Sequence, residues 1–424
     1  MKTKGVFRFF AAMLYLFWGI APFAFAQNRP LTLTEAEHLA INQSPELQRL
    51  NANSQALRQQ SIADGQLPDP QLAAGTINVP TDTFSFTQDE MTMVQVGLQQ
   101  QFARGRSLKM KSQQTRALAK TELIKITEQK LTLIRTVREV WLELYYWSQA
   151  LHTLKTNESL YKELLQVTES QYSTGKINQT DVVQVQLELS KLKNQIIQNK
   201  QPITISKAQL GRWIGMNNGN RPLALSMPRW PALPSMAKLQ DSLMKHPLLQ
   251  ADAANIKASS FEVAYAKEQY KPGWQLGVGY GLRQGRMPDG TPRSDMLTAQ
   301  VTMDLPFFTA NRQDRQLNAS LNKLNATQMD RHIHYRDLLQ SLNVQYTTWK
   351  HLLEREHLYN QQLIPDSKQN AKAALLAYQN ATTELTTVLR AYSSELTIQL
   401  EHIQLQVERL KAHATLLYLE GTPT

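Results

Sequence analysis

Two spacings in this chain have the residue types of a metal site. His332 and His334 flank one residue, and Met91 and Met93 offer softer thioether donors at the same interval. The histidines lie in a helical run, where side chains two residues apart diverge, so both read as surface histidines. The methionines sit at strand spacing and read as packing. Trp141, Tyr145, Tyr146 and Trp147 fall on consecutive helical turns and could stack a ligand, but helix–helix packing suits them better. The sequence offers no nucleophilic triad, no phosphate-cradling glycine loop and no convincing pair of catalytic carboxylates. It therefore reads as a non-enzyme that needs no metal or cofactor.

Two short turns carry recognition chemistry instead. The first runs Tyr172-Ser-Thr-Gly175-Lys-Ile-Asn178, with Asn178 a helix N-cap and Asp181 favouring the new N-terminus. The second, Tyr378-Gln-Asn380-Ala-Thr382, leads to Glu384. Their likeness belongs to a wider pattern: the chain restates itself about 205 residues later. Ser44-Pro45-Glu46-Leu47 returns as His246-Pro247-Leu248-Leu249, Gln95-Val96…Phe102 as Gln300-Val301…Phe307, and Leu210…Gly215 as Leu416…Gly421. A period this long implies duplication of a whole architectural half rather than a solenoid unit. The halves are assigned as residues 27–215 and 238–421, joined by a linker over 216–237.

The elements holding the turns are long. Arg106 and Gly175 bracket 68 residues without glycine or proline, rich in strong helix formers. Leu131, Ile134, Val137, Val140, Trp141, Leu144 and Tyr145 repeat at helical spacing. A continuous helix of that length would span about 100 Å. In the second half Pro365 is the one proline between Pro306 and Gly421, and it is expected to kink a helix running from about Arg312 to Tyr378. Each half thus predicts a helical hairpin, over 104–214 and 309–420, too long to surround one core.

Before each hairpin the period changes to two. Trp274, Leu276, Val278, Tyr280 and Leu282 alternate with Gln275, three glycines and Arg283. Leu297 to Leu305 and Val94 to Phe102 alternate likewise. Strands are predicted at about 71–80, 91–102, 273–283 and 296–306. Segments of about 10 residues with one apolar and one polar or glycine face suit a β-barrel wall in the outer membrane. Met91 and Met93 would then pack at the lumen or headgroup level. Four strands cannot close a barrel, and open edges are not tolerated in lipid, so copies must pool their strands.

Residues 1–26 read as a secretory signal, with Lys2, Lys4 and Arg8 before an apolar run and Ala24-Phe25-Ala26 as the cleavage site. No cysteine is present, which excludes disulfides, thiolate metal sites and a lipidated N-terminal cysteine. The net charge of +11 is scattered over helical faces, without the concentrated patch that nucleic-acid binding requires.

In its opening Leu31-Thr-Leu33-Thr-Glu35-Ala36 the chain resembles the TolC-type outer-membrane efflux proteins. The likeness extends through Leu305-Pro306-Phe307-Phe308 before Asn311-Arg312, and through Tyr172…Gly175…Asp181-Val182-Val183. It covers residues 31–421. Pro68-Asp69-Pro70 and Phe102-Ala-Arg-Gly105-Arg106 look most like the heavy-metal branch of the Czc/Cus kind. The resemblance implies an α+β membrane protein: a homotrimer in which four strands from each copy close one 12-stranded barrel in outer-membrane lipid. The helices would continue it as a periplasmic α-barrel. Such proteins are exit ducts of Gram-negative bacteria. They dock through their helical tips to a periplasmic adaptor and an inner-membrane pump of the RND type. Tyr172, Gly175, Asn178, Asp181, Tyr378, Asn380 and Glu384 are then the tip and gate candidates. Some relatives carry an aspartate gate ring before the second turn. Here residues 371–379 hold no carboxylate, so an acidic constriction would use Glu169 or Glu384, or be absent. The alternative reading is a periplasmic coiled-coil adaptor or structural protein.

Overall fold

The computed structural model describes residues 29–421, so the expected leader lies outside the described residues. In chain order the elements are α1 (Leu33–Gln43), α2 (Pro45–Ala63), β1 (Gln71–Ile77), β2 (Met93–Phe102), α3 (Ser107–Ser173), α4 (Gln179–Ile214) and α5 (Met216–Gly219). The second half supplies α6 (Met236–Leu243), α7 (Pro247–Glu268), β3 (Trp274–Arg283), β4 (Met296–Met303), α8 (Gln313–Leu358), α9 (Ile364–Gln379) and α10 (Leu385–Glu420). Contacts gather these into two units, each drawing on both halves of the sequence. A sheet unit takes Pro45–Thr132, Pro234–Tyr346 and the residues from Leu416. A helical unit takes the residues up to Ser44, Leu133–Leu233 and Thr347–Thr415.

The sheet unit holds one antiparallel sheet in the order β1-β2-β3-β4. Val96 pairs with Tyr280, and Leu276 with Val301, so the apolar sets of neighbouring strands share a face. That face is bare: Leu72 is 74% exposed and Leu297 76%, so no core among the described residues covers it. Two strands end earlier than their sequence pattern. Asn78 turns β1 off through a left-handed φ of 54°, and β4 stops at Met303, three residues before Pro306, which has no N–H to donate. Met91 falls outside β2, in a turn where its N–H donates to Asp89 Oδ1 (2.7 Å). The expected strand spacing of Met91 and Met93 is therefore corrected.

Arg104 ties the foot of the sheet to the helices of this unit. Its guanidinium donates to the Gln269 carbonyl (3.1 Å) and pairs with Asp304 (3.3 Å). Beside it the Glu268 carboxylate takes the Arg106 N–H (2.6 Å), satisfying a donor next to the start of α3 that has no intrahelical partner. The α8 start is held by Tyr270 donating to Asp314 (2.6 Å).

In the second hairpin the expected kink at Pro365 takes another form. Tyr359–Leu363 form a π turn, and the Ile364 N–H donates to the Tyr359 carbonyl five residues back. A proline ring clashes with the carbonyl four residues earlier, and widening the preceding turn removes the clash. Pro202 lies inside α4 without ending it.

The helical unit contains a buried polar cluster. Arg138 bonds Glu37 (2.6 Å) and lies over the Trp230 ring (5.0 Å). His413 meets the same indole edge-on (5.3 Å) and lies near Trp349 (6.3 Å). Nearby, Arg221 clamps Glu35 with two bonds and also donates to the Arg29 carbonyl. These contacts pin the linker and the first described residues to the helices. Burial, with Arg409 and Arg138 adding repulsion, depresses the His413 pKa from 6.5 to about 4. The unfolded chain takes up this proton below pH 6.5, whereas the folded chain resists until about pH 4. Stability is therefore full above 6.5 and falls across that window. At pH 5 the loss is about 2 kcal/mol. Thermal melts at pH 7 and pH 5 should show a drop for the wild type that His413→Leu lacks.

Candidate functional site

The two turns are built alike from their backbones upward. Gly175 donates to the Tyr172 carbonyl (2.9 Å) and Lys176 to the Gln171 carbonyl (3.0 Å). Ala381 donates to the Tyr378 carbonyl (2.9 Å) and Thr382 to the Ala377 carbonyl (2.9 Å). Both are Schellman endings, which need a left-handed residue at the fifth position. Gly175 has φ 70° and Ala381 φ 57°. Alanine thus adopts in the second turn what glycine adopts freely in the first, at a cost of about 1 kcal/mol.

A single core holds the turns. Tyr161 and Leu164 of α3, Val185 and Leu189 of α4, Ala371 and Tyr378 of α9, and Val388 and Tyr392 of α10 belong to one buried cluster. The Tyr161 and Tyr392 rings pack edge-to-face at 5.7 Å, and burial pushes the Tyr161 phenol up to about 12. Burial also raises Tyr392 and the Glu395 carboxyl.

The seven candidate residues divide. Tyr172, Gly175, Asn178, Asn380 and Glu384 are exposed, and Asp181 is half-buried. Asn178 occupies the N-cap position, but its side chain makes no capping bond. Asn380 instead donates its amide to the Leu376 carbonyl (3.0 Å), and Glu384 accepts from Thr386 (3.2 Å). Tyr378 is 3% exposed and burial raises its phenol, so its ring serves the core and offers no contact surface. The matched tyrosines therefore have different duties. Thr168, fully buried, donates to the Leu164 carbonyl (2.7 Å) and neighbours Tyr378. Nothing in its sequence context distinguishes it from other helical threonines.

The remaining candidates are structural. Trp141 and Tyr145 stack at 5.7 Å with both rings buried. Trp147 donates to Glu143 (2.7 Å) and meets Tyr146 edge-on. His332 is exposed, as expected, but His334 pairs with Asp252 (2.9 Å) rather than standing alone. Among the described residues no group of three ligating side chains could hold a metal ion. No described helix is long and apolar enough to cross a membrane.

The family model described as outer membrane efflux protein matches residues 37–216 and again 239–422. The chain belongs to this family. Solved channels share its fold. VceC of Vibrio cholerae, an outer membrane protein, is 16% identical over 92% of this chain and 96% of that one, with a TM-score of 0.76. The Neisseria gonorrhoeae MtrE outer membrane channel, in its open state, is 15% identical over 92% and 88%, with a TM-score of 0.73. CusC, solved in a study of transmembrane channel formation, is 16% identical over 92% and 92%, with a TM-score of 0.76. A comparison with curated proteins yields no match.

The turns make two predictions. No atom would lie within 4 Å of a Cβ at Gly175, so Gly175→Ala tests conformation alone. It should destabilise by about 1 kcal/mol, and Ala381→Gly should gain slightly less because glycine has more freedom when unfolded. Thermal unfolding of the two variants checks both signs. Tyr378→Ala should cost about 3 kcal/mol, while Tyr172→Ala should stay within roughly 0.5 kcal/mol. Denaturant titration of this pair separates the core tyrosine from the exposed one.

Proposed function

We infer that this chain is the outer-membrane exit duct of a tripartite efflux system, passively conducting cargo that a periplasmic adaptor and an inner-membrane pump deliver. One observation carries the reading. A four-stranded sheet presents a bare apolar face, and among the described residues its edge strands β1 and β4 have no further partners. In lipid those edges must be paired, because no water satisfies their N–H and C=O groups. Pairing β4 of one copy with β1 of the next closes a barrel, and three copies give about 12 strands, within the range of outer-membrane barrels.

The finer assignments rest on that base. The functional unit is a homotrimer assembled from the two repeats, 27–215 and 238–421, with the linker 216–237 between them. The turns around Tyr172–Asp181 and Asn380–Glu384 meet the adaptor, and the pump is of the RND type. Heavy-metal ions are the proposed cargo, supported by Pro68-Asp69-Pro70 and Phe102 to Arg106. CusC is no more similar in identity than VceC.

Deleting the gene and growing cells on metals, dyes and antibiotics tests the cargo. Sensitivity to zinc, cadmium, cobalt, copper or silver, restored by the intact gene, is expected; sensitivity to dyes and antibiotics alone would reassign the duct to organic cargo. The turns are tested separately. Cysteines placed at the exposed Lys176 and Thr382 and joined by a thiol cross-linker should block export. Undiminished export with the cross-link verified would remove these turns from the gate.

A further inference from the structure

Between its two ends the polar face of the sheet carries no fixed charge. Residues paired across strands share a face, so three rows can be read directly from the register. Gly75, Gln95, Gly281 and Met296 form one, Ala73, Gly97, Gly279 and Thr298 the next, and Gln71, Gln99, Gly277 and Gln300 the third. From Gln95 to Gln101 along β2 this stretch of the face spans roughly 20 Å at 3.3 Å per residue. Among the described residues every side chain along it is an amide, a hydroxyl, a thioether, an aliphatic group or glycine.

The glutamines lie along the wall rather than across the opening. A Cβ at Gly279 would fall 2.4 Å from the Gln95 amide nitrogen, and one at Gly277 3.5 Å from Gln99 Cγ. Gln99 also accepts from Gln275 (2.8 Å). The glycines thus receive the amide side chains of the neighbouring strand.

Fixed charge appears only at the two ends of this face, where it is engaged. At one end Arg104 and Asp304 pair with each other. At the other, Arg283 donates to the carbonyls of Ser294 (2.6 Å) and Glu90 (3.2 Å), and Arg293 to that of Asp89 (2.8 Å). Asp295 there accepts from Tyr280 (2.6 Å) and from the Arg283 N–H (3.1 Å).

We propose that the barrel is a charge-neutral, amide-lined sleeve that passes anions, cations and uncharged polar molecules alike, so that discrimination by charge is made outside it. Rings of charged side chains are what make a pore select by sign, and this wall supplies none. The inference rests on the barrel reading above, with the polar face turned to the lumen.

The absence of native cysteine allows a single-site test on the full-length trimer in lipid nanodiscs. Gly277→Cys is suitable because its Cβ meets only ordinary contacts, and Gly75→Cys, with nothing within 4 Å, is a second position should the first fail to assemble. Each is reacted with a cationic trimethylammonium and an anionic sulfonate methanethiosulfonate, and the rates are divided by those of a free thiol. The normalised rates should agree within fivefold. A bias beyond fivefold in either direction, or no reaction at both positions, would overturn the proposal. Thr298→Glu added to Gly277→Cys should tilt the ratio toward the cationic reagent, showing that the probe reads charge. Val278→Cys, on the apolar face, should react with neither reagent. Reaction there as fast as at Gly277 would refute the barrel itself, a failure distinct from a charge bias inside it.

Discussion

Unpaired backbone at the two edges of a short sheet is the constraint on which the rest depends. Four strands pair with one another through β2 and β3, which leaves one side of β1 and one side of β4 open. In water such edges are blunted with charges or prolines. Here they are not, and the face between them is apolar and uncovered. In the proposed barrel, lipid and further copies of the same chain would resolve both problems together. The sheet is there completed by its neighbours, so assembly would close the edges that one chain leaves open.

Duplication supplies the parts, and the two copies have since been used differently. Both hairpins end on the same pair of backbone hydrogen bonds, but one uses glycine at the left-handed position and the other alanine. The equivalent tyrosines have separated likewise, Tyr378 entering the core that Tyr172 stays out of. The second long helix carries a π turn before Pro365 that the unbroken α3 has no need of. Quasi-equivalent halves of this kind can share a scaffold while only one presents side chains to a partner.

The two units handle charge in opposite ways. In the helical unit, buried cations are paired and stacked: Arg138 with Glu37 and Trp230, Arg221 with Glu35. Breaking such a pair leaves a buried charge uncompensated, which is strongly destabilising, so these contacts fix where the linker runs. Along the middle of the polar face of the sheet there is no charge to pair, and the glutamine amides bond one another or lie over glycine. One arrangement specifies a packed interior, and the other suits a wall that faces water.

Periodicity by itself determined the long helices, the four strands and their two faces, because apolar spacing of 3.6 or 2 survives without knowledge of any neighbour. It also located both turns, since Gly175 and the repeated tyrosines mark them. Only the tertiary structure decided what depends on contacts distant in sequence. It placed Tyr378 inside, because burial is set by four helices at once. It paired His334 with Asp252 and set Arg104 between Gln269 and Asp304. It moved the irregularity of the second helix upstream of Pro365, because the clash falls on the preceding turn. It also removed Met91 from its strand, where a local carboxylate, Asp89, captured its N–H. A side chain's period can be read along the chain, but its partner is chosen across it.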